Sequence, residues 1–165
     1  MVFASNCERY ENLSTQQKGF LRLAHFYGSE YDLQWTLPAI ALRESNAGEW
    51  RVNLQNDYGL FQININTAAR HLGLDNRYRK IEVAQRLIYD DEFGASLAVS
   101  VLDYFRRNRD MSHGTVWREM IMSYRAGYTW KSDPRRKKIA EDYFKDIQKN
   151  VRMLKACTDW GEEGI

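Results

Sequence analysis

The apolar run Leu37-Pro38-Ala39-Ile40-Ala41-Leu42 leads into Glu44-Ser45, so one carboxylate stands directly behind an apolar stretch. Desolvation disfavours the charged form of such a group, raises its pKa and keeps a proton available near neutral pH. An acid of that kind can protonate a glycosidic oxygen as the bond to carbon breaks. The competing reading is an ordinary carboxylate at a helix C-terminus. That end of a helix carries partial negative charge and is unfavourable for Glu, unless the side chain is solvated.

A second candidate stretch follows, Asp57-Tyr58-Gly59-Leu60-Phe61-Gln62-Ile63-Asn64. Gly59 suits a positive φ or a close backbone approach. Gln62 reads as a buried amide bonded to the turn backbone. Asp57 by itself reads as a turn aspartate that accepts backbone amides. A third stretch, Ser123-Tyr124-Arg125-Ala126-Gly127, places a tyrosine before a helix-ending glycine. Tyr124 alone reads equally as a core aromatic with a satisfied hydroxyl.

Taken together, Glu44-Ser45, Gly59-Leu60-Phe61-Gln62-Ile63 and Ser123-Tyr124-Arg125-Ala126-Gly127 resemble the three ordered motifs of the lytic transglycosylases, in the lysozyme-like superfamily. Each motif is weak alone; three in order are more specific. The resemblance covers roughly residues 31–128. It implies a mainly α, lysozyme-like domain with a groove for peptidoglycan glycan strands. It also implies Glu44 as catalytic acid and then base, with Ser45, Gly59, Gln62 and Tyr124 on the substrate side. The departures are Phe61 for a usual methionine, Arg125 for asparagine, and Asn66 where proline is common. Asp57 is a further difference. Its stretch is similar to the segment of animal-type lysozymes that carries their second carboxylate, and to specialised transglycosylases of secretion systems. A hydrolytic muramidase using Glu44 and Asp57 is therefore the near alternative. A non-catalytic wall-binding or structural virion protein is the alternative of another class, because fold alone does not prove activity.

Around these residues the pattern is helical nearly throughout, and the expected class is all-α with at most a small irregular β segment. Ser14 and Gln17 form a capping box before a helix that Gly28 is placed to end. Pro38 puts the start of the next helix near Thr36. Asn66 is placed to cap a short helix stopped by Gly73, and Asp90-Asp91 a long one. Thr115 to Ala126 forms a buried helix ended by Gly127. Asp133-Pro134 opens a last helix over about 133–156, with a loose tail at 157–165.

The 165 residues make a single domain, and 44% hydrophobic and 13% aromatic content supports a packed core. A net charge of +2 is too small to imply nucleic acid. Basic runs at 77–80, 106–109 and 135–138 read as solvated helix faces or ends. No apolar run approaches the ~20 residues of a membrane span. Residues 1–6 lack the basic start and apolar stretch of a secretion signal. Action on the bacterial cell wall then fits a phage-encoded lysin or virion-carried enzyme, with a bacterial periplasmic enzyme whose leader is not in this sequence as the alternative; a monomer is expected.

No cofactor is implied. His25, His71 and His113 are scattered without metal-ligand spacing. Cys7 and Cys157 are open between a disulfide across the termini and two independent thiols. Trp35, Trp50, Trp117 and Trp130 read as core, although Trp50 and Trp130 lie near the motifs and could stack on a sugar ring. Glu30, Glu49 and Glu92 read as surface charges or caps.

Overall fold

The helix that carries Glu44 is apolar on every side, and the molecule is built around it. In a computed structural model describing residues 7–74, 76–108 and 115–160, helix α3 (Thr36–Ser45) buries Thr36 through Leu42 and Ser45. A helix apolar all round must be enclosed. Helices α2 (Thr15–Ser29), α6 (Asp91–Arg107) and α8 (Pro134–Cys157) pack against it. Burying each of Leu37, Ile40 and Leu42 contributes about 1.5–3 kcal/mol.

The remaining elements extend that core. Ahead of α2 lies the short α1 (Glu8–Glu11). After α3 comes an antiparallel hairpin, β1 (Asp57–Tyr58) with β2 (Ile63–Asn64), pairing Asp57 with Asn64. Helices α4 (Ile65–His71) and α5 (Arg77–Tyr89) follow, and α5 packs on α6. Helix α7 (Val116–Ala126) runs into a 3₁₀ turn at Gly127–Lys131 and packs between α6 and α8. The all-α expectation is met, with the two-residue strands as the small β segment.

Helix starts follow local chemistry. The Ser14–Gln17 capping box forms, and Asp90, Thr115 and Asp133 accept from backbone amides at their helix N-termini. Two details differ from the sequence reading. The cap of α4 is Asn64, which accepts from the Asn66 amide, because the strand ends there. Gly28 lies inside α2: a Cβ there would meet the Leu33 carbonyl oxygen at 2.5 Å, so its role is clearance for the α2–α3 turn.

Cys7 and Cys157 are joined in a disulfide with a Cα–Cα distance of 5.5 Å, closing a loop of sequence separation 150. The expected loose tail is instead anchored at its start. Trp160 is buried and stacks on Trp35 with centroids 6.0 Å apart, while His25 meets both rings edge-on or tilted. Residues 161–165, Arg109, His113 and the leader reading at residues 1–6 lie outside the described residues. No helix among the described residues is long and apolar enough to cross a membrane.

Candidate active site

Helix α3 delivers Glu44 to one wall of a cleft of about 770 Å³. The hairpin contributes Asp57 and Gln62, and the end of α7 contributes Tyr124 and Arg125. Helices α4 and α6 line the rest of it. Asp57, Gln62 and Tyr124, from two stretches far apart in the chain, thus converge with Glu44 on one concavity.

Glu44 is partly buried and its pKa is raised above the ordinary carboxylate value. Burial is the main cause; the Tyr143 hydroxyl and the charges of Arg125 and Arg43 oppose it, and Asp57 adds to the rise. The penultimate position in α3 acts in the same direction, since the C-terminal end of a helix repels negative charge. The chain leaves α3 through Asn46 at φ 49° and ψ 51°, a left-handed cap that Asn tolerates.

Asp57 is gripped through both carboxyl oxygens. The Asn53 side-chain amide donates to Oδ2 at 2.8 Å and the Asn64 amide donates to Oδ1 at 2.9 Å. The Asp57 backbone amide also donates to Asn53 Oδ1 at 3.1 Å. Asp57 is therefore both a turn residue and a cleft residue, and the two sequence readings coexist.

Gln62 sits at φ 46° with its side chain nearly buried. Its Nε2 donates to the carbonyls of Gly59 at 2.9 Å and Trp50 at 3.1 Å. Both amide hydrogens are thereby used, which leaves the oxygen as the atom that can meet a ligand. The Tyr124 hydroxyl donates to the Phe61 carbonyl at 2.9 Å. Its pKa is pushed well up by burial and by the nearby Glu44 and Asp57, so it stays a donor.

Ser45 and Gly59 take different places from those the resemblance implied. Ser45 is fully buried behind the wall and is absent from the cleft lining. Its hydroxyl donates to the Leu60 carbonyl at 2.6 Å and accepts from the Gly48 amide at 2.8 Å, fastening α3 to the hairpin. Gly59 has φ +80° and rests on α5, where a Cβ would lie 2.0 Å from the Leu87 carbonyl oxygen. Both residues shape the site from outside it. Trp130 is buried and donates to Ser123 Oγ at 3.0 Å, so it is core. Trp50 is exposed and does not line the cleft.

Two supporting residues carried no signal in the sequence. Tyr143 read only as an apolar position of the last helix. It is buried, and its hydroxyl is near enough to Glu44 to favour the ionised carboxyl, yet among the described residues it makes no hydrogen bond of ordinary geometry. Burial, then the Glu44 charge, push its own pKa well up. Arg51 grips Asp91 at the head of α6 in a bidentate pair, donates to the Gly48 carbonyl at 3.1 Å, and covers the Phe20 ring at 4.6 Å. It locks the loop after Glu44 to two helices.

A carboxyl biased toward its protonated form, in an open groove that a second, amide-held carboxyl also lines, is suited to general acid and base work at an acetal oxygen. Compared with protein-family models, curated proteins and solved structures, the chain matches none.

Proposed function

We propose that the protein is a peptidoglycan lytic transglycosylase with Glu44 as its acid and base. The observation that carries this reading is the raised pKa of Glu44 in a cleft shared with Gln62 and Tyr124. Glu44 donates its proton to the oxygen between N-acetylmuramic acid and N-acetylglucosamine, and the bond from that oxygen to the muramyl C1 breaks. The substrate's acetamido group stabilises the positive carbon. The Glu44 carboxylate then takes the proton of the muramyl 6-hydroxyl, whose oxygen bonds to C1 and closes a 1,6-anhydro ring. Glu44 ends protonated as it began, and no water is consumed. The Gln62 oxygen and the Asp57 carboxylate are the acceptors offered to sugar hydroxyls and amides.

One observation favours a second reading, a retaining muramidase. Asp57 lies in the same cleft with both oxygens fixed by amide donors, as a carboxylate that stabilises or attacks C1 would need. Clearing of a cell-wall suspension by the parent and by Glu44→Gln tests the common part of both readings. Clearing by the parent that Glu44→Gln abolishes supports it; equal clearing, or none by either, favours a wall-binding or structural role.

A further inference from the structure

Three guanidinium groups line the cleft, and acid–base work on an uncharged sugar needs none of them. Of these, Arg107 is committed to an ion pair with the nearly buried Asp103. Arg70 of α4 and Arg125 of α7 also line the cleft. Both are exposed, and among the described residues neither forms an ion pair or a hydrogen bond. Each lies in the last turn of its helix, where a cation suits the dipole. The dipole does not explain why the two open onto one cleft. It also does not explain why Arg125 stands where its charge opposes proton retention by Glu44. A cation that works against the acid is tolerable if the substrate neutralises it.

In a stem-bearing strand the lactyl carboxyl of each muramyl residue is tied up in the amide to its peptide, so the sugars themselves carry no charge. The anions of a peptidoglycan strand are the carboxylates of the peptides attached to its muramyl residues. A guanidinium meets a carboxylate through two parallel hydrogen bonds, and two such groups on separate elements can hold separate carboxylates. We propose that Arg70 and Arg125 are an anion-recognising pair that takes peptide-stem carboxylates, making strands with ionised stems the preferred substrate over the same strands with the stem charges removed. This rests on the glycan-cleaving reading above.

The test uses soluble wall fragments with intact stems and the same fragments after carbodiimide-driven amidation, which removes the charge at nearly constant size. Binding to Glu44→Gln, which does not turn over, is followed by calorimetry at low salt. The expected result is about tenfold tighter binding of the native fragments, the scale of one well-formed charge-assisted contact. Adding Arg125→Gln or Arg70→Gln should each cut that preference several-fold, while Arg125→Lys, which keeps the charge and loses the two-bond fork, should keep only part of it. Both side chains are exposed, and unchanged melting temperatures verify folding. Equal binding of the two fragment forms, or a preference that survives both Gln variants, overturns the pair and leaves cleavage standing. Binding of neither form overturns the pair and the glycan-cleaving reading together.

Discussion

The Tyr124 hydroxyl at the end of α7 donates to the Phe61 carbonyl in the hairpin turn at 2.9 Å. That bond joins the third sequence motif to the second. The Ser45 hydroxyl, donating to the Leu60 carbonyl one residue earlier, joins the first motif to the same turn. The turn at residues 59–62 is thus the piece on which the site is assembled, with Gln62 held by its own backbone and that of Trp50.

Glu44→Gln should lose activity by about 10²–10⁴-fold, the range for removing a general acid. It should also stabilise the fold at neutral pH. The folded-state pKa of Glu44 is raised, so its stability contribution is fully present below the unfolded value, near 4.5, and is lost as pH rises through the folded value. The neutral amide escapes that loss. Thermal melting of the two proteins should diverge in favour of Glu44→Gln at pH 7 and converge below about pH 4. A lower melting temperature for Glu44→Gln at pH 7 would contradict burial as the cause.

Tyr143→Phe keeps the packing and removes a hydroxyl that favours the ionised Glu44. The alkaline limb of the activity profile, where Glu44 loses its proton, should therefore move to higher pH. Because that hydroxyl lacks a well-formed hydrogen bond, stability should change by less than about 1 kcal/mol. A limb that stays in place, or moves down, would remove Tyr143 from the acid's environment.

Gly59→Ala should destabilise by about 2 kcal/mol or more, since it combines φ +80° with a 2.0 Å approach to the Leu87 carbonyl oxygen. Denaturant unfolding measures this. A near-neutral result would mean that the hairpin can lift from α5 without cost.

Asp57→Asn separates the two chemistries. A transglycosylase should retain activity within about tenfold, because its nucleophile belongs to the substrate; a muramidase that needs the carboxylate should lose about 10²-fold or more. Initial rates of fragment release decide between them.

Breaking the Cys7–Cys157 disulfide, by reduction or by Cys7→Ser with Cys157→Ser, should cost about 2–5 kcal/mol. The bond fastens the ends of the chain and does not line the cleft. Activity below the new melting temperature should therefore persist.

The sequence exposes what local chemistry decides. The helix starts at Ser14, Asp90, Thr115 and Asp133 depend on a side chain bonding amides two or three residues on, and such contacts are visible as spacing. Gly28 was misleading because its requirement comes from Leu33 in the following turn. Within the site, Glu44, Gln62 and Tyr124 were visible through their motifs, and the fold brings them together. Ser45 and Gly59 sit in the same motifs but serve the scaffold. Motif spacing does not distinguish a side chain that faces the cleft from one that faces the wall behind it. Tyr143 was invisible because only the docking of α8 on α3 turns an apolar helix position into a neighbour of the acid. Arg51 was invisible for the same kind of reason: its partner Asp91 arrives with α6.

Mass analysis of the fragments released from purified peptidoglycan, with Glu44→Gln as the comparison, decides whether Glu44 drives transglycosylation. The parent should release fragments that end in 1,6-anhydromuramic acid, one water lighter than hydrolysed ends, and Glu44→Gln should release them at least about 10²-fold more slowly. Reducing ends throughout would contradict transglycosylation, and fragments released equally by Glu44→Gln would contradict the role of Glu44.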